Sequence, residues 1–370
     1  MNEITIFTYG DSKKISTWSN IPYFFTTTLE KKGIVVNRID ITPSSRILKK
    51  IFKLGLYRIL PKLYKNNSYN YLRSFLFKIE ANLKIKKAVK KYPKSDSFIF
   101  LNFDFSSKRY SKKPSILFGD WTYEHYINYL LNREPNFFEF QYIKSQNRKI
   151  KESDIVFPLF PGMAEQLKHK GNIKYLGNVI NSSIESNKKE ILKQKKDSNK
   201  IIFIGSNKYI EGAKKLLESY NILKKKYPKL SLDFIGLKET DFNNLPKDVK
   251  CHGYLDKGNN EQREIYYKLL KEARVFVNTT PKWSAFSASV EAMYFYNPVI
   301  VPSYEEFVKT FGENFNGGIY CNNNDNLAEK IELIINSQSY EEFSINARTL
   351  VKNFTWDSYI DKVLLEIKKL

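Results

Sequence analysis

The run RVFVNTT (274–280) leads through a polar loop into SASVEAM (287–293). Ser287, Ala288 and Ser289 are small, so a phosphate could approach their backbone N–H groups at the mouth of a helix. Such a mouth carries about half a positive charge together with free donors. Glu291 would project from the first turns of the same helix, where a carboxylate can accept two hydrogen bonds from a ribose diol. The same residues also fit a plain helix start, with the serines as caps and Glu291 favourable to the dipole. A second carboxylate, Asp120, ends the run PSILFGD (114–120). It is either a group that orients a substrate hydroxyl or the cap of the helix TYEHYINYL that follows. His125, one turn on, reads as a half-buried structural histidine.

The elements that would position these groups alternate between strand and helix. ITIFTYG (4–10), a helix over 21–33 with Gly33 as its stop, and IVVNRIDI (34–41) open an α/β domain. Two helical patterns fill 45–92, and SFIFLNF (97–103), PSILFGD, DIVFPLF (154–160) and IKYLGN (173–178) read as further strands. Residues 181–199 are polar and read as a linker. The rhythm then restarts with KIIFIG (200–205), LSLDFIG (230–236), VKCHGYL (249–255), RVFVNTT, PVIVPS (298–303) and GGIYC (317–321), and three helices end the chain. Both halves read as doubly wound parallel sheets, which bind ligands at the carboxyl ends of their strands.

A chain of 370 residues with 42% hydrophobic content can bury two cores. Cys251 and Cys321 are the only cysteines, too few for a disulfide framework, and three scattered histidines offer no metal-ligand spacing. No run approaches the ~18 apolar residues that span a bilayer, and the start of the chain has no leader pattern. The expectation is a cytoplasmic protein, soluble or peripheral on the inner face of a bacterial membrane. The net charge is +22. It is concentrated between Arg46 and Lys94, which hold fifteen basic residues against the single acid Glu80. Lys and Arg interleaved there with Ile, Leu, Phe and Tyr at helical spacing suggest an anionic membrane surface over residues 46–94. Nucleic acid is the weaker rival, and a solvated helix face the plain alternative.

In order and character the elements resemble the GT-B glycosyltransferases, in particular the large retaining family 4. WSAFSASVEAMYFYNPVIV (283–301) is similar to that family's E-G-F-G-x-P-x-x-E-A-M-A-x-G-x-P-V-I, with Glu291, Ala292, Met293, Pro298, Val299 and Ile300 in register. HGYL (252–255), YYKLLKEARVFVNTT (266–280) and the tail NFTWDSYIDKVLLEI (353–367) resemble further family segments. STWSNIPYFF (16–25) resembles a subgroup that reads W-S-G-T-P-Y-Y. The resemblance implies two Rossmann-like domains facing a cleft: an acceptor domain (1–180), the linker (181–199), a nucleotide-sugar domain (200–354) and a last helix (355–370) crossing back onto the first.

It further implies transfer of a sugar from a nucleotide-diphosphate sugar, with retention, to a surface-polysaccharide or lipid-linked glycan. No metal, other cofactor or protein nucleophile is expected. Gly205, Ser206, Ser287 and Ala288 would approach the diphosphate, Lys208 or Lys282 would supply charge, Glu291 would hold the ribose, and Tyr254 and Leu255 would border the base. Asp120 would orient the acceptor, with Gly10, Asp11, Trp18 and Ser19 on the same side. The chain also departs from the pattern. Trp283 stands where the family's first glutamate contacts the donor sugar, and Ser206 and Glu211 replace an arginine and a lysine that neutralise the diphosphate. Those changes leave open a degraded member that acts as a binding or scaffolding subunit. A glucosyltransferase acting on modified nucleic acid is a further alternative.

Overall fold

The structure, a computed structural model, describes residues 1–64, 67–185, 187–280 and 286–370. The chain divides into two compact units, Met1–Asn178 with Trp356–Leu370, and Val179–Thr355. Among the described residues no helix is long and apolar enough to cross a membrane.

The first unit holds five parallel strands: β1 (Glu3–Thr8), β2 (Val35–Asp40), β3 (Ser97–Phe100), β4 (Ser115–Gly119) and β5 (Ile155–Pro158). Their order is β2-β1-β3-β4-β5, with Ile4 facing Val36 on one side and Ser97 on the other. β3 and β4 are buried along their whole length. This is why their sequences run apolar rather than alternating: helices cover both faces of a parallel sheet. The helix Ile21–Lys31 buries Phe24, Phe25 and Leu29 and stops before Gly33, whose φ of +79° needs glycine. The chain's last helix, Trp356–Ile367, belongs to this unit. Trp356 stacks on Phe24 at 6.4 Å and meets Phe25 edge-on at 6.0 Å, and Tyr359 lies edge-on to Phe118 at 5.8 Å. The expected strand at 173–178 is not formed. Ile173 makes one bridge to Val156, and Gly177, at φ +103°, then turns the chain away.

The second unit holds β6 (Lys200–Ile204), β7 (Ser231–Ile235), β8 (Val249–Cys251), β9 (Val275–Val277), β10 (Val299–Val301) and β11 (Gly318–Tyr320). They lie parallel in the order β11-β10-β9-β6-β7-β8. The core gathers Phe203, Leu216, Tyr220, Phe234, Val277, Ile331 and Ile334. The stretch read as a linker contains a helix, Lys188–Lys196, and lies inside this unit. Its Ile191 and Lys195 are fully buried. Lys195 Nζ donates to the carbonyls of Leu270 (3.0 Å) and Ala273 (2.5 Å) and to Asn297 Oδ1 (2.7 Å). A polar composition concealed this docking because the one lysine that enters the core satisfies its charge on carbonyl-type oxygens alone.

Lys195→Met keeps the length of the side chain but removes those donors. Stranding buried acceptors costs about 1–3 kcal/mol, so we expect the unfolding midpoint of the second unit to drop in denaturant titration. An unchanged midpoint would show that the helix is not anchored by this contact.

Candidate functional site

In the second unit the strand order runs outward from β6 through β7 to β8, and the other way from β9 through β10 to β11. The connections that leave β6 and β9 therefore diverge, which opens a crevice at their carboxyl ends. Close packing shapes it. A Cβ on Gly205 would sit 2.9 Å from Phe203 and 3.0 Å from Tyr209, and one on Gly236 only 2.5 Å from the Gly205 carbonyl. The loop after β9 touches the loop after β6, where Thr280 Oγ1 donates to the Tyr209 carbonyl at 3.3 Å. Gly212 lies so close to Thr280 that no side chain fits there.

The described donor candidates follow the strands β6, β8 and β9 along the chain. Ser206 and Lys208 are exposed on the loop after β6. Glu211, whose charge would oppose a phosphate, is 81% exposed and lies against Lys214 at 3.5 Å. The helix Ser287–Tyr294 starts with Ser287 exposed, Ala288 half-buried and no side chain among the described residues capping it, so Ser287 and Ser289 do not serve as its caps. Tyr254 is 69% exposed just beyond β8 and Leu255 is half-buried beside it. Lys282 and Trp283 lie outside the described residues.

Glu291 is placed differently from its expected role. It is only 4% exposed. Lys257 Nζ donates to both of its oxygens, at 2.6 and 2.8 Å, and Tyr266 OH donates at 2.9 Å. Lys257 is itself buried, donates to the Asn181 carbonyl at 3.0 Å and sits 4.3 Å from the centre of the Tyr266 ring. Burial, and after it the charge of Glu291, push the Tyr266 hydroxyl well above its usual pKa. The carboxylate is thus satisfied inside the unit by Lys257 and Tyr266, whereas the resemblance had it hold the ribose. Lys257 was not legible as its partner, because the two are separated by 34 residues and meet only when the helix 260–272 packs beside the helix 287–294.

The first unit has its own reversal of strand order, between β1 and β3. A cavity of about 300 Å³ opens there, lined among others by Tyr9, Trp18, Asn102, Asp104, Asp120 and Gln146. Asp120 accepts from the Trp121 N–H at 2.7 Å. Burial raises its pKa, opposed by hydrogen bonds from the Trp121 backbone and the Trp18 side chain. The cap of the following turn is Thr122, which accepts from His125 N at 3.1 Å, so Asp120 does not act as that cap. His125 is buried, 3.1 Å from Gln166 and stacked on Tyr129.

Sequence reading missed the other half of this wall. Tyr9 OH and Gln146 Nε2 both donate to Asp104, at 3.0 and 2.7 Å. Asn102 is buried, and among the described residues its Nδ2 has no hydrogen-bond partner. The available signal was the position of NFD (102–104) just past a buried strand.

Trp18, Ser19 and Asn20 hold φ of 36°, 53° and 72°. Three successive left-handed residues without glycine store strain, and here the turn aims Trp18 at Asp120. Asn20 is among the few side chains that tolerate the left-handed region. Gly10 (φ +94°) and Asp11 do not line the cavity. Gly10 N donates to Asp40 and Thr42, and Asp11 accepts from Lys13 N at 2.9 Å. Both shape the turn that carries Trp18, whereas the resemblance placed them beside the acceptor.

Lys257→Met leaves a buried carboxylate uncompensated and should destabilise the second unit by about 3–5 kcal/mol. Adding Glu291→Leu should recover most of that loss in thermal unfolding. No recovery would mean that the two side chains are not coupled.

Residues 184–350 match the model of the family described as glycosyl transferases group 1. Among curated proteins none matches the chain. Solved structures share its fold at full length. Sucrose-phosphate synthase from Thermosynechococcus elongatus is 13% identical with a TM-score of 0.65, covering 100% of this chain and 99% of its own. Anabaena Alr3699/HepE in complex with UDP-glucose is 12% identical with a TM-score of 0.60 and full coverage of both chains. TarM from S. aureus is 12% identical with a TM-score of 0.66, covering 99% of each. The chain thus has the GT-B fold of these structures, and its residues 184–350 match the glycosyl transferases group 1 family.

Proposed function

We propose that this chain is a glycosyltransferase that takes its sugar from a nucleotide-diphosphate sugar and passes it, with retention, to a surface-polysaccharide or lipid-linked glycan. The observation that carries the donor half is the start of the helix Ser287–Tyr294, exposed at Ser287 and without a side-chain cap among the described residues, beside the reversal of strand order. Its N–H groups suit the leaving diphosphate, whose charge grows as the glycosidic bond breaks. Lys208, and Lys282 by its place in the sequence, would supply the cations that the reading assigns to no metal. Tyr254 is exposed where a base could stack. The complex of Alr3699/HepE with UDP-glucose supports a uridine donor.

The acceptor would enter the cavity of the first unit. Asp120 would orient the attacking hydroxyl, and Asn102, Asp104 and Gln146 would bind neighbouring hydroxyls. A site that reads hydroxyls through buried polar groups discriminates strongly against ligands without them. A second reading rests on Glu291. Since Lys257 and Tyr266 enclose it, a member that binds the nucleotide without transferring sugar would show the same arrangement.

Titration with a panel of nucleoside diphosphates, followed by thermal shift, tests the donor half. At a hundredfold excess over Kd a true ligand adds about 2.7 kcal/mol of stability. Ser287→Asp keeps the helix start favourable but sets a like charge against the diphosphate. We expect binding to weaken by about tenfold or more while the melting temperature of the free protein holds. No shift with any nucleotide would overturn the reading, and binding without turnover on a glycan pool would favour the second one.

Asp120→Asn should lower kcat at least about tenfold. Because burial raises the pKa of Asp120, the ionised form is lost on the acid side from a higher pH than for an ordinary carboxylate. The rate of the wild type should fall along that limb, and the limb should flatten in the variant.

A further inference from the structure

We propose that the first unit docks on an anionic lipid surface through the helices Arg46–Leu54, Leu56–Leu63 and Phe75–Lys91. This goes beyond the transfer reaction and rests on what these helices leave uncovered. Among the described residues, nineteen large apolar side chains are exposed, and nine of them lie between Ile47 and Leu83. They fall on stripes. Ile47, Ile51 and Leu54 follow one another by four and three residues and are 73%, 51% and 56% exposed. Phe75, Ile79 and Leu83 follow by four and are 70%, 39% and 62% exposed. Other residues of the same helices are packed: Phe52 and Leu60 form a small cluster with Tyr69, joined by Phe138, and Phe77, Ala81 and Ile85 are buried. The stripes are thus an outer face, and clustered apolar exposure of this kind marks an interaction surface.

Charge identifies the occupant. Arg46, Lys50, Lys53, Arg58, Lys62, Lys86, Lys87 and Lys90 are exposed and have no acidic partner among the described residues. The one acid in the span is turned inward. Glu80 is 6% exposed and accepts from Ser45 N at 2.9 Å, Ser44 Oγ at 2.9 Å and Tyr71 OH at 3.0 Å. Burial would raise its pKa, but the hydrogen bonds from Ser44, Ser45 and Tyr71 hold it at about 2. It therefore fixes the start of the helix Arg46–Leu54 and adds no negative charge to the surface. Glu139, the acid beside the Phe138 contact, is likewise buried on Arg133 at 2.8 Å, while Phe137 and Phe140 next to it are exposed.

Aliphatic side chains set among cations match an interface where apolar groups sink below the headgroups and ammonium groups meet phosphate. A second copy of the chain would bring like charges together. Nucleic acid would engage the cations and leave Ile47, Ile51 and Leu54 without a partner.

Flotation of the full chain with unilamellar vesicles tests this, with phosphatidylcholine alone against equal parts of phosphatidylcholine and phosphatidylglycerol. The expected result is binding to the anionic vesicles alone, weakened by salt. Lys50→Gln and Lys53→Gln should each weaken binding roughly fivefold. The triple variant Ile47→Ser/Ile51→Ser/Leu54→Ser should weaken it by about tenfold or more at any salt. All three serine sites are exposed, so its unfolding midpoint should hold. No flotation with anionic vesicles, or equal flotation with neutral ones, would overturn the proposal. So would binding to a DNA duplex that the serine variant leaves unchanged while vesicle binding is absent. Vesicle binding is read without donor or acceptor, so its failure leaves the transferase reading standing.

Discussion

In a parallel sheet every strand delivers its carboxyl end to the same edge, and each connection must cross back over a face to begin the next strand. All pairings in both sheets here are parallel. That constraint fixes where chemistry can occur, because loops gather on one edge and part only where the strand order reverses. Both reversals are occupied by polar groups. The first unit sets Tyr9, Asn102 and Asp104 there, and the second sets Ser206 after β6 and Thr280 after β9.

Backbone approach at these edges is closer than side chains allow, which accounts for particular glycines. Gly205 and Gly236 pack loop on loop, and Gly212 lets the helix after β6 touch Thr280. The first unit solves a similar demand without glycine. Its Trp18-Ser19-Asn20 turn accepts left-handed backbone and so aims one indole at one carboxylate.

Charge follows a consistent division. Charged groups that enter an interior are matched there: Lys195 by carbonyls, Lys257 by Glu291, Glu80 by N–H and hydroxyl donors, Glu139 by Arg133. An unmatched buried charge would cost several kcal/mol. Drawing acids such as Glu80 inward has a second consequence, since it leaves the outer face of the basic helices purely cationic.

The alternation of strand and helix, the doubly wound class and the helix that starts at Ser287 were legible in the sequence, because periodicity and small residues act locally. The basic, apolar pattern of 46–94 was legible for the same reason. Burial and pairing were not. Nothing local distinguishes a Glu291 that faces a ligand from one locked on Lys257, or a polar linker from a helix whose Lys195 enters a core. The choice between Asp120 and Thr122 as the cap turned on backbone geometry two residues wide. Those outcomes depend on which distant elements pack together, since desolvation and hydrogen-bond partners exist only once the chain has folded. The sequence determined which groups were available and along which edge they would gather, whereas the tertiary structure decided which of them remained free to meet a substrate.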